Sequence, residues 1–295
     1  VVRCAQYYRG KSSDNWELCA MSNSSPLTGQ AFASSEWLIN HYRFKSPQMV
    51  RNITSLPIYN GDRVLDIGCG IGFYMEYFIK MVGPNGKVVG IDHDKDLIIL
   101  ANQYLGRGYF KNWQLINEDI LNNLDIVSGF NKIILFNCLS YQGDIKNIIA
   151  EIYNNMSINS ILIIKDFDMS TSSYNPTDRR MHGEFIEAVK LAQPSGQGGY
   201  LNKFVGQSLH RIGREVAGAN YASEIWPFIH AYPFSDEVVY FIKEAFVSSL
   251  QLARNHCSAD VVNYIFNNFI KDDALFYENE SSVFIENEHV IILST

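Results

Sequence analysis

The most informative stretch of this chain reads VLDIGCGIG and runs from Val64 to Gly72. It is an apolar strand pattern that leads into a glycine turn, and an apolar helix pattern follows it. Gly68, Gly70 and Gly72 occupy alternate positions, so the backbone can turn sharply and a ligand can lie against bare peptide at the carboxyl end of the strand. The stretch therefore predicts a binding site for a nucleoside cofactor.

The spacing of the glycines separates two classes of cofactor. Nicotinamide and flavin proteins use Gly-x-Gly-x-x-Gly, whose third glycine lets a helix N-terminus approach a pyrophosphate. This chain instead has Gly-x-Gly-x-Gly preceded by Asp66, which resembles motif I of the class I S-adenosylmethionine-dependent methyltransferases. The resemblance implies S-adenosylmethionine as cofactor and S-adenosylhomocysteine as product. It also implies cofactor contacts from Asp66 and from the loop, at Gly68, Cys69, Gly70 and Gly72.

Two further acids follow predicted strands. Asp92 ends the apolar segment 87–92, where a carboxylate can accept hydrogen bonds from both ribose hydroxyls. In the resembling family an acid after the third strand accepts from the adenine amino group, and Asp119 is at that position. The predicted cofactor contacts also include His93 and Ile120 beside these acids, and Asn137 at the end of the fourth strand. As an alternative, each acid could simply cap a turn or helix, and capping is compatible with ligand binding.

Strand patterns alternate with helix patterns, which predicts a parallel sheet covered on both faces. Strands are predicted near 62–67, 87–92, 112–117, 131–137 and 160–166, with helices near 71–82, 94–106 and 142–156. A loop at 169–176, a helix near 178–192, a breaker at 194–199 and a helix near 202–218 follow. A strand near 221–232, helices near 236–253 and 259–270, and a strand near 283–293 complete the pattern.

By resemblance this is a Rossmann-like, doubly wound, seven-stranded α/β sheet, mostly parallel, whose last strand lies antiparallel beside the sixth. The expected organisation is an N-terminal lid segment at 1–44 and a methyltransferase domain at 45–295 with cap insertions at about 168–220 and 235–277. The N-terminal segment contains Tyr7, Tyr8, Trp16, Trp37, His41 and Tyr42. It could fold over the cofactor as a lid or pack as a helix on the sheet's edge.

The acceptor should bind above the carboxyl ends of the strands, beside the cofactor. Aromatic residues in the cap predict a closed pocket for a small, partly apolar molecule, although they could equally form the core of the cap. By resemblance an oxygen, nitrogen or carbon atom of the acceptor attacks the methyl group. The candidate general bases are His182, Tyr141, Asp168 and His41, with His182 preferred because an imidazole titrates near neutrality. His182 could instead be a surface residue of its helix.

Composition excludes several classes of protein. The net charge of −7, with no Lys/Arg cluster, argues against a nucleic-acid substrate, and no apolar run approaches the length of a membrane span. We expect a cytoplasmic enzyme with reduced thiols and no metal, since neither Cys-x-x-Cys nor a carboxylate cluster at the fourth strand is present. The missing initiator Met suggests a trimmed start or a piece of a longer chain, and the oligomeric state stays open.

The expected activity is therefore methylation of a small molecule in secondary-metabolite or cofactor biosynthesis. Three alternatives remain: another S-adenosylmethionine enzyme on the same scaffold, such as a cyclase or isomerase; a non-catalytic cofactor-binding partner subunit; and a nicotinamide oxidoreductase, which the glycine spacing opposes.

Overall fold

The computed structural model describes residues 35–193 and 202–295. An N-terminal helix is followed by a region in which strands and helices alternate. These elements are α1 (Ser35–Thr54), β1 (Arg63–Ile67), α2 (Phe73–Val82), β2 (Lys87–Asp92), α3 (Lys95–Leu105), β3 (Trp113–Asn117), β4 (Lys132–Phe136), α4 (Ile145–Asn154) and β5 (Ile161–Phe167). The remaining elements are β6 (Ser173–Asn175), α5 (Arg179–Ala192), α6 (Val205–Ala217), β7 (Tyr221–Ala231), α7 (Asp236–Ala253), α8 (Ala259–Ile265), α9 (Leu275–Glu278) and β8 (Val283–Ser294).

One sheet joins the eight strands of the described residues. Its order is β3-β2-β1-β4-β5-β8, and both β7 and β6 pair with β8. Strands β1 to β5 are parallel, whereas β8 lies antiparallel between β5 and β7. The expected Rossmann-like sheet with an antiparallel last strand is therefore confirmed.

The structure adds one short strand to the expected seven. β6 lies in the segment predicted as a loop at 169–176, and Tyr174 at its centre pairs with Phe284 of β8. The burial of Tyr174 explains the pairing, because its ring packs into the aromatic core of the cap. A three-residue strand carries too little alternation to be read from sequence alone.

Apolar side chains fill both faces of the sheet. Leu65 and Leu135 belong to one buried cluster, while Val64 and Ile134, one position away on the same strands, belong to the other. This alternation follows from the two-residue period of a strand and explains why the parallel strands read as continuous apolar runs. The sheet thus fixes β1, β2, β4 and β5 with their carboxyl ends at one edge.

The N-terminal and cap regions were predicted less completely. α1 is a single helix that crosses the expected boundary at 44/45. Tyr7, Tyr8, Trp16, Cys4, Cys19 and the breaker at 194–199 lie outside the described residues. Cys69, Cys138 and Cys257 are free thiols. Within residues 35–193 and 202–295, the helices are all too short or too polar to cross a bilayer.

Candidate functional site

The glycine loop joins β1 to α2 with three residues in the left-handed region of backbone space. The φ angles of Gly68, Gly70 and Gly72 are +71°, +53° and +79°. A Cβ added at Gly68 would lie 2.9 Å from the Cβ of Cys138, so a larger residue would also collide with its neighbour. Gly68 and Gly70 line a cavity of about 460 Å³. The loop therefore presents bare peptide to this cavity, as the sequence predicts.

Asp92 connects this loop to the end of β2. The backbone N–H of Gly70 donates to Asp92 Oδ2 at 2.8 Å, and that of Asp94 donates to Oδ1 at 2.9 Å. Burial raises the pKa of Asp92, while these two N–H donors oppose the rise. Asp92 and His93 both line the cavity. Each carboxylate oxygen has two acceptor sites, so Asp92 can hold the loop and still accept from a ligand.

The capping alternative also applies to these acids, because Asp92 Oδ1 itself accepts from the backbone N–H two residues on, that of Asp94. Asp94 caps α3 by accepting from Asp96 N at 2.9 Å and from Leu97 N at 3.2 Å. Asp119 accepts from Leu121 N at 2.9 Å and also lines the cavity, together with Ile120. Capping and exposure to the ligand space therefore coexist at Asp119.

Asp66, Cys69 and Gly72, which were also predicted to contact the cofactor, do not line the cavity. The Oδ2 atom of Asp66 is buried with no hydrogen-bond partner within the described part of the chain. Burial, reinforced by the nearby charge of Asp92, raises the pKa of Asp66 to about 8.

The raised pKa of Asp66 makes folding stability pH-dependent. Between about pH 4 and about pH 8 the folded chain keeps a proton that the unfolded chain releases, so stability falls as pH rises through this window. Asp66→Asn removes that dependence. We therefore expect the free energy of unfolding of the variant, relative to that of the parent, to increase by roughly 1.4 kcal/mol for each pH unit inside this window. Chemical denaturation of the ligand-free parent and variant at pH 5, 6.5 and 8 measures this difference in stability. Parallel pH profiles for the two proteins would contradict the raised pKa of Asp66.

The other half of the cavity is aromatic and lies beneath α1 and α7. The rings of His41, Trp37 and Phe241 pack against one another: the His41 centroid lies 5.8 Å from that of Trp37 and 5.5 Å from that of Phe241, and the centroids of Trp37 and Phe241 are 5.4 Å apart. All three side chains line the cavity, as do Phe246 and Tyr174. We call this part the aromatic half. The sequence left open whether the aromatic residues of the cap line a pocket or form the core of the cap. Tyr174 and Phe246 do both, because they also belong to the buried aromatic cluster of the cap.

A buried cluster of four charges adjoins the cavity through Glu286, which is one of the lining residues. Lys45 Nζ contacts Glu286 Oε1 and lies 2.6 Å from Glu288 Oε1. Lys165 Nζ lies 2.7 Å from Glu288 Oε2. Although burial alone raises the pKa of Glu288, Lys165 and Lys45 hold that pKa below its usual range. We call Lys45, Lys165, Glu286 and Glu288 the charge cluster.

Asn137 is tied to the charge cluster. It adopts a left-handed backbone with φ of +54°, its Nδ2 donates to Glu288 Oε1 at 3.0 Å, and its Oδ1 accepts from Lys165. Asn137 lines the cavity, but these bonds commit both ends of its amide to the cluster. The structure therefore favours backbone rather than side-chain contact between Asn137 and a cofactor.

The atoms of His41, Glu286 and Glu288 that could coordinate a metal ion all lie within 4.8 Å of one another. Such a trio has the composition of a metal site. Here the ammonium of Lys45 contacts both carboxylates, so a positive charge already occupies the position between them. A second cation at that position would be repelled.

The candidate bases do not share one location. His41 and Tyr141 line the cavity. His182 lies on α5, packs against Tyr174 and Phe246, and is not a lining residue. Asp168 also lies outside the lining and accepts from Ser170 N and Gln207 N at 3.0 and 3.1 Å.

The environments of these candidates decide their chemistry. Burial and the charge of Lys45 lower the pKa of His41 well below its usual value, so its imidazole is neutral at pH 7. Burial raises the pKa of Tyr141, which keeps the phenol protonated. The geometry therefore favours His41 over the preferred candidate, His182.

Sequence reasoning missed Lys203, Phe241 and the charge cluster, and it named Trp37 only as part of the N-terminal segment that could form a lid. One signal was present: Lys165 interrupts the strand ILIIKDF, and a cation inside an otherwise buried strand requires an anionic partner. The partner strand carries Glu286 and Glu288 at alternate positions, which places them on one face.

The fold and the cavity define a Rossmann-like α/β protein with a nucleoside-type site at the carboxyl ends of its strands. The model of the methyltransferase domain family matches residues 58–214, more than half of the chain. The chain belongs to this family, which confirms the resemblance drawn from its glycine loop.

Named relatives are similar over shorter stretches. A probable cobalt-precorrin-6B C(15)-methyltransferase (decarboxylating) of Thermoplasma volcanium is 38% identical over 69 residues, which are 23% of this chain and 34% of that protein. A malonyl-[acyl-carrier protein] O-methyltransferase of Bacillus anthracis is 28% identical over 109 residues, 37% of this chain and 39% of that protein. The chain thus matches little more than a third of the length of these two relatives.

A solved structure extends the similarity of fold beyond those stretches. The cyclopropane-fatty-acyl-phospholipid synthase-like protein of Lactobacillus casei has a TM-score of 0.54 at 15% identity. The match covers 88% of this chain and 93% of that one. It concerns the fold alone.

Proposed function

We propose that this chain is an S-adenosylmethionine-dependent methyltransferase that acts on a small acceptor molecule. The observation that carries the proposal is one continuous cavity that joins the glycine loop and Asp92 to the aromatic half. A site of this kind can hold a nucleoside and a second, partly apolar molecule side by side. Membership of the methyltransferase domain family supports the same conclusion.

The residues present suit the cofactor. Gly68 and Gly70 offer bare peptide, Asp92 offers acceptor sites to a ribose, and Asp119 with Ile120 forms the wall where an adenine would lie. S-adenosylmethionine, when bound, supplies an activated methyl group and leaves as S-adenosylhomocysteine.

The chain's own contribution is positioning and, for a protonated acceptor, proton removal. Trp37 and Phe241 offer flat apolar surfaces that orient the acceptor and exclude water. His41 packs against both rings with a neutral imidazole and can take the proton that the acceptor atom loses as its bond to carbon forms. The charge of Glu288 favours the imidazolium that results, although burial and the charge of Lys45 outweigh it and keep the pKa of His41 low.

The proposal is tested by turnover. The purified chain is incubated with S-adenosylmethionine and a library of small phenols, amines and carboxylic acids, and S-adenosylhomocysteine is quantified. Acceptor-dependent formation of S-adenosylhomocysteine together with a methylated product supports a methyltransferase. An acceptor-dependent product that gains no methyl group would favour a cyclase or isomerase, and cofactor binding without turnover of any acceptor would favour a binding subunit.

His41→Gln should lower kcat for such an acceptor by roughly 10²- to 10⁴-fold, the usual contribution of a general base. The affinity for S-adenosylhomocysteine should stay within about twofold, because the glycine loop and Asp92 are untouched. In the parent, kcat should rise with pH to a plateau reached below neutrality, since the pKa of His41 is lowered. His256→Gln, on an exposed residue, is the control; a variant of His41 that keeps both kcat and the pH profile would eliminate it as the base.

A further inference from the structure

Glu286 is a buried carboxylate at the cavity wall that the mechanism above does not use. It is 5% exposed and lines the cavity, whereas Glu288 does not. Its Oε1 atom contacts Lys45 Nζ. Within residues 35–193 and 202–295 its Oε2 atom accepts no hydrogen bond, and that atom keeps accessible surface. Glu286 therefore offers a hydrogen-bond acceptor to a ligand in the cavity.

His41 offers a second acceptor close to the first. A ring nitrogen of His41 and a carboxylate oxygen of Glu286 lie no more than 4.8 Å apart, and both residues line the cavity. Since the imidazole is neutral, one of its two nitrogens is an acceptor. Burial raises the pKa of Glu286, but the ammonium of Lys45 in direct contact opposes the rise and favours the carboxylate.

The separation of the two acceptors suits one nitrogen atom that carries two hydrogens. An N–H donor lies about 2.9 Å from its acceptor, so acceptors 4.8 Å apart would subtend roughly 110° at a shared nitrogen. This is close to the angle between two bonds of an amine. A hydroxyl group has a single hydrogen and would leave one of the two acceptors unpaired, which is unfavourable in a buried site.

The two acceptors lie on the side of the cavity that faces the glycine loop. Leu38, one turn before His41 in α1, is the side chain nearest to Gly70, at 3.7 Å from the position of an added Cβ. Asn137, at the end of β4, donates to Glu288 Oε1 at 3.0 Å, and Glu288 belongs to the same trio as His41 and Glu286. A nitrogen bound to this pair is therefore close to the proposed cofactor site.

The charge of the surroundings excludes a cationic amine. The carboxylates of the charge cluster are already matched by its ammonium groups, and that of Lys45 contacts Glu286 directly. A ligand ammonium at the same carboxylate would be repelled by Lys45. An amine on an aromatic ring is neutral at pH 7, because its lone pair is delocalised into the ring. The rings of Phe241 and Phe246 in the cavity wall suit such an aryl group.

We propose that Glu286 and His41 together bind the two N–H bonds of a neutral arylamine, whose nitrogen is the atom methylated. This inference rests on the proposed function and specifies its substrate class. As the N–C bond forms, the C–S bond breaks and its electron pair stays on sulfur. The nitrogen then loses one proton to His41, while its other N–H stays bound to Glu286. Glu286 is thus a specificity-determining residue that selects an amine over a hydroxyl group.

The probes are 6-aminoquinoline and the nearly isosteric 6-hydroxyquinoline, titrated calorimetrically into protein saturated with S-adenosylhomocysteine at pH 8. This pH favours the carboxylate of Glu286 and the neutral amine. We expect the amine to bind at least about tenfold more tightly than the hydroxyl compound. Glu286→Gln should reduce this preference to less than about threefold by weakening the amine alone, since the amide turns an N–H₂ donor or a weaker acceptor toward it. Glu184→Gln removes an exposed carboxylate that pairs with Arg180, and it should behave as the parent.

The titration with S-adenosylhomocysteine comes first and separates the two hypotheses. If S-adenosylhomocysteine does not bind, the proposed function fails. If it binds and the parent prefers neither probe, prefers the hydroxyl compound or binds neither, only the arylamine assignment is overturned. A preference that survives Glu286→Gln unchanged also overturns it. Should Glu286→Gln itself lose S-adenosylhomocysteine binding, the preference of the parent protein decides.

Discussion

Glu288→Gln should lower the free energy of unfolding by about 3–5 kcal/mol, the range for removing one partner of a buried ion pair. Glu288 is fully buried, and both of its oxygens contact ammonium groups, one of Lys45 and one of Lys165. The amide would leave two buried ammonium groups with a single carboxylate, that of Glu286, between them. Urea denaturation of the ligand-free protein at pH 7 measures the loss.

Glu187→Gln provides the matched control for this prediction. Glu187 makes an ion pair with Lys190 on the exposed face of α5, at 2.8 Å. Exposed pairs contribute about 0–1 kcal/mol, so the control should unfold nearly as the parent does. A loss at Glu288 no larger than at Glu187 would contradict the charge cluster.

Asp92→Ala should weaken binding of S-adenosylhomocysteine by about 1.5–3 kcal/mol, the range for hydrogen bonds to a charged group. This corresponds to roughly a 10- to 150-fold rise in Kd. The variant loses the acceptors for the ribose hydroxyls and also the acceptor that holds Gly70 N. The loop should therefore bind less well for two reasons.

Isothermal calorimetry with S-adenosylhomocysteine measures this effect, and Asp96→Ala is its control. Asp96 is an exposed carboxylate in the first turn of α3, four residues from Asp92. Asp96→Ala should change Kd by less than about twofold. An unchanged Kd in Asp92→Ala would show that Asp92 does not bind the cofactor.

The part of the cavity beside the glycine loop could be predicted from the sequence, because the residues that form it directly follow predicted strands. Gly68 and Gly70 follow β1 directly, and Asp92 ends β2, so the known edge of a parallel sheet places them together. No long-range contact had to be known. The same reasoning located Asp119 after β3.

The aromatic half was not readable in this way. His41 and His182 were equivalent in type, and only the packing of α1 on α7 brings the first against the cavity while the second packs on Tyr174. Lys203 meets Ser248 across 45 residues of chain, and Lys45 meets Glu288 across 243. Such contacts depend on how the cap helices fold over the sheet, which periodicity does not specify.

The central claim is that the glycine loop and Asp92 bind an adenosyl sulfonium cofactor rather than a dinucleotide. The most direct test titrates the purified chain, in parallel calorimetric experiments, with S-adenosylhomocysteine, S-adenosylmethionine and NAD. We expect heat of binding from the two adenosyl compounds and none from NAD. Binding of NAD alone would contradict the interpretation of the loop and, with it, the proposed function.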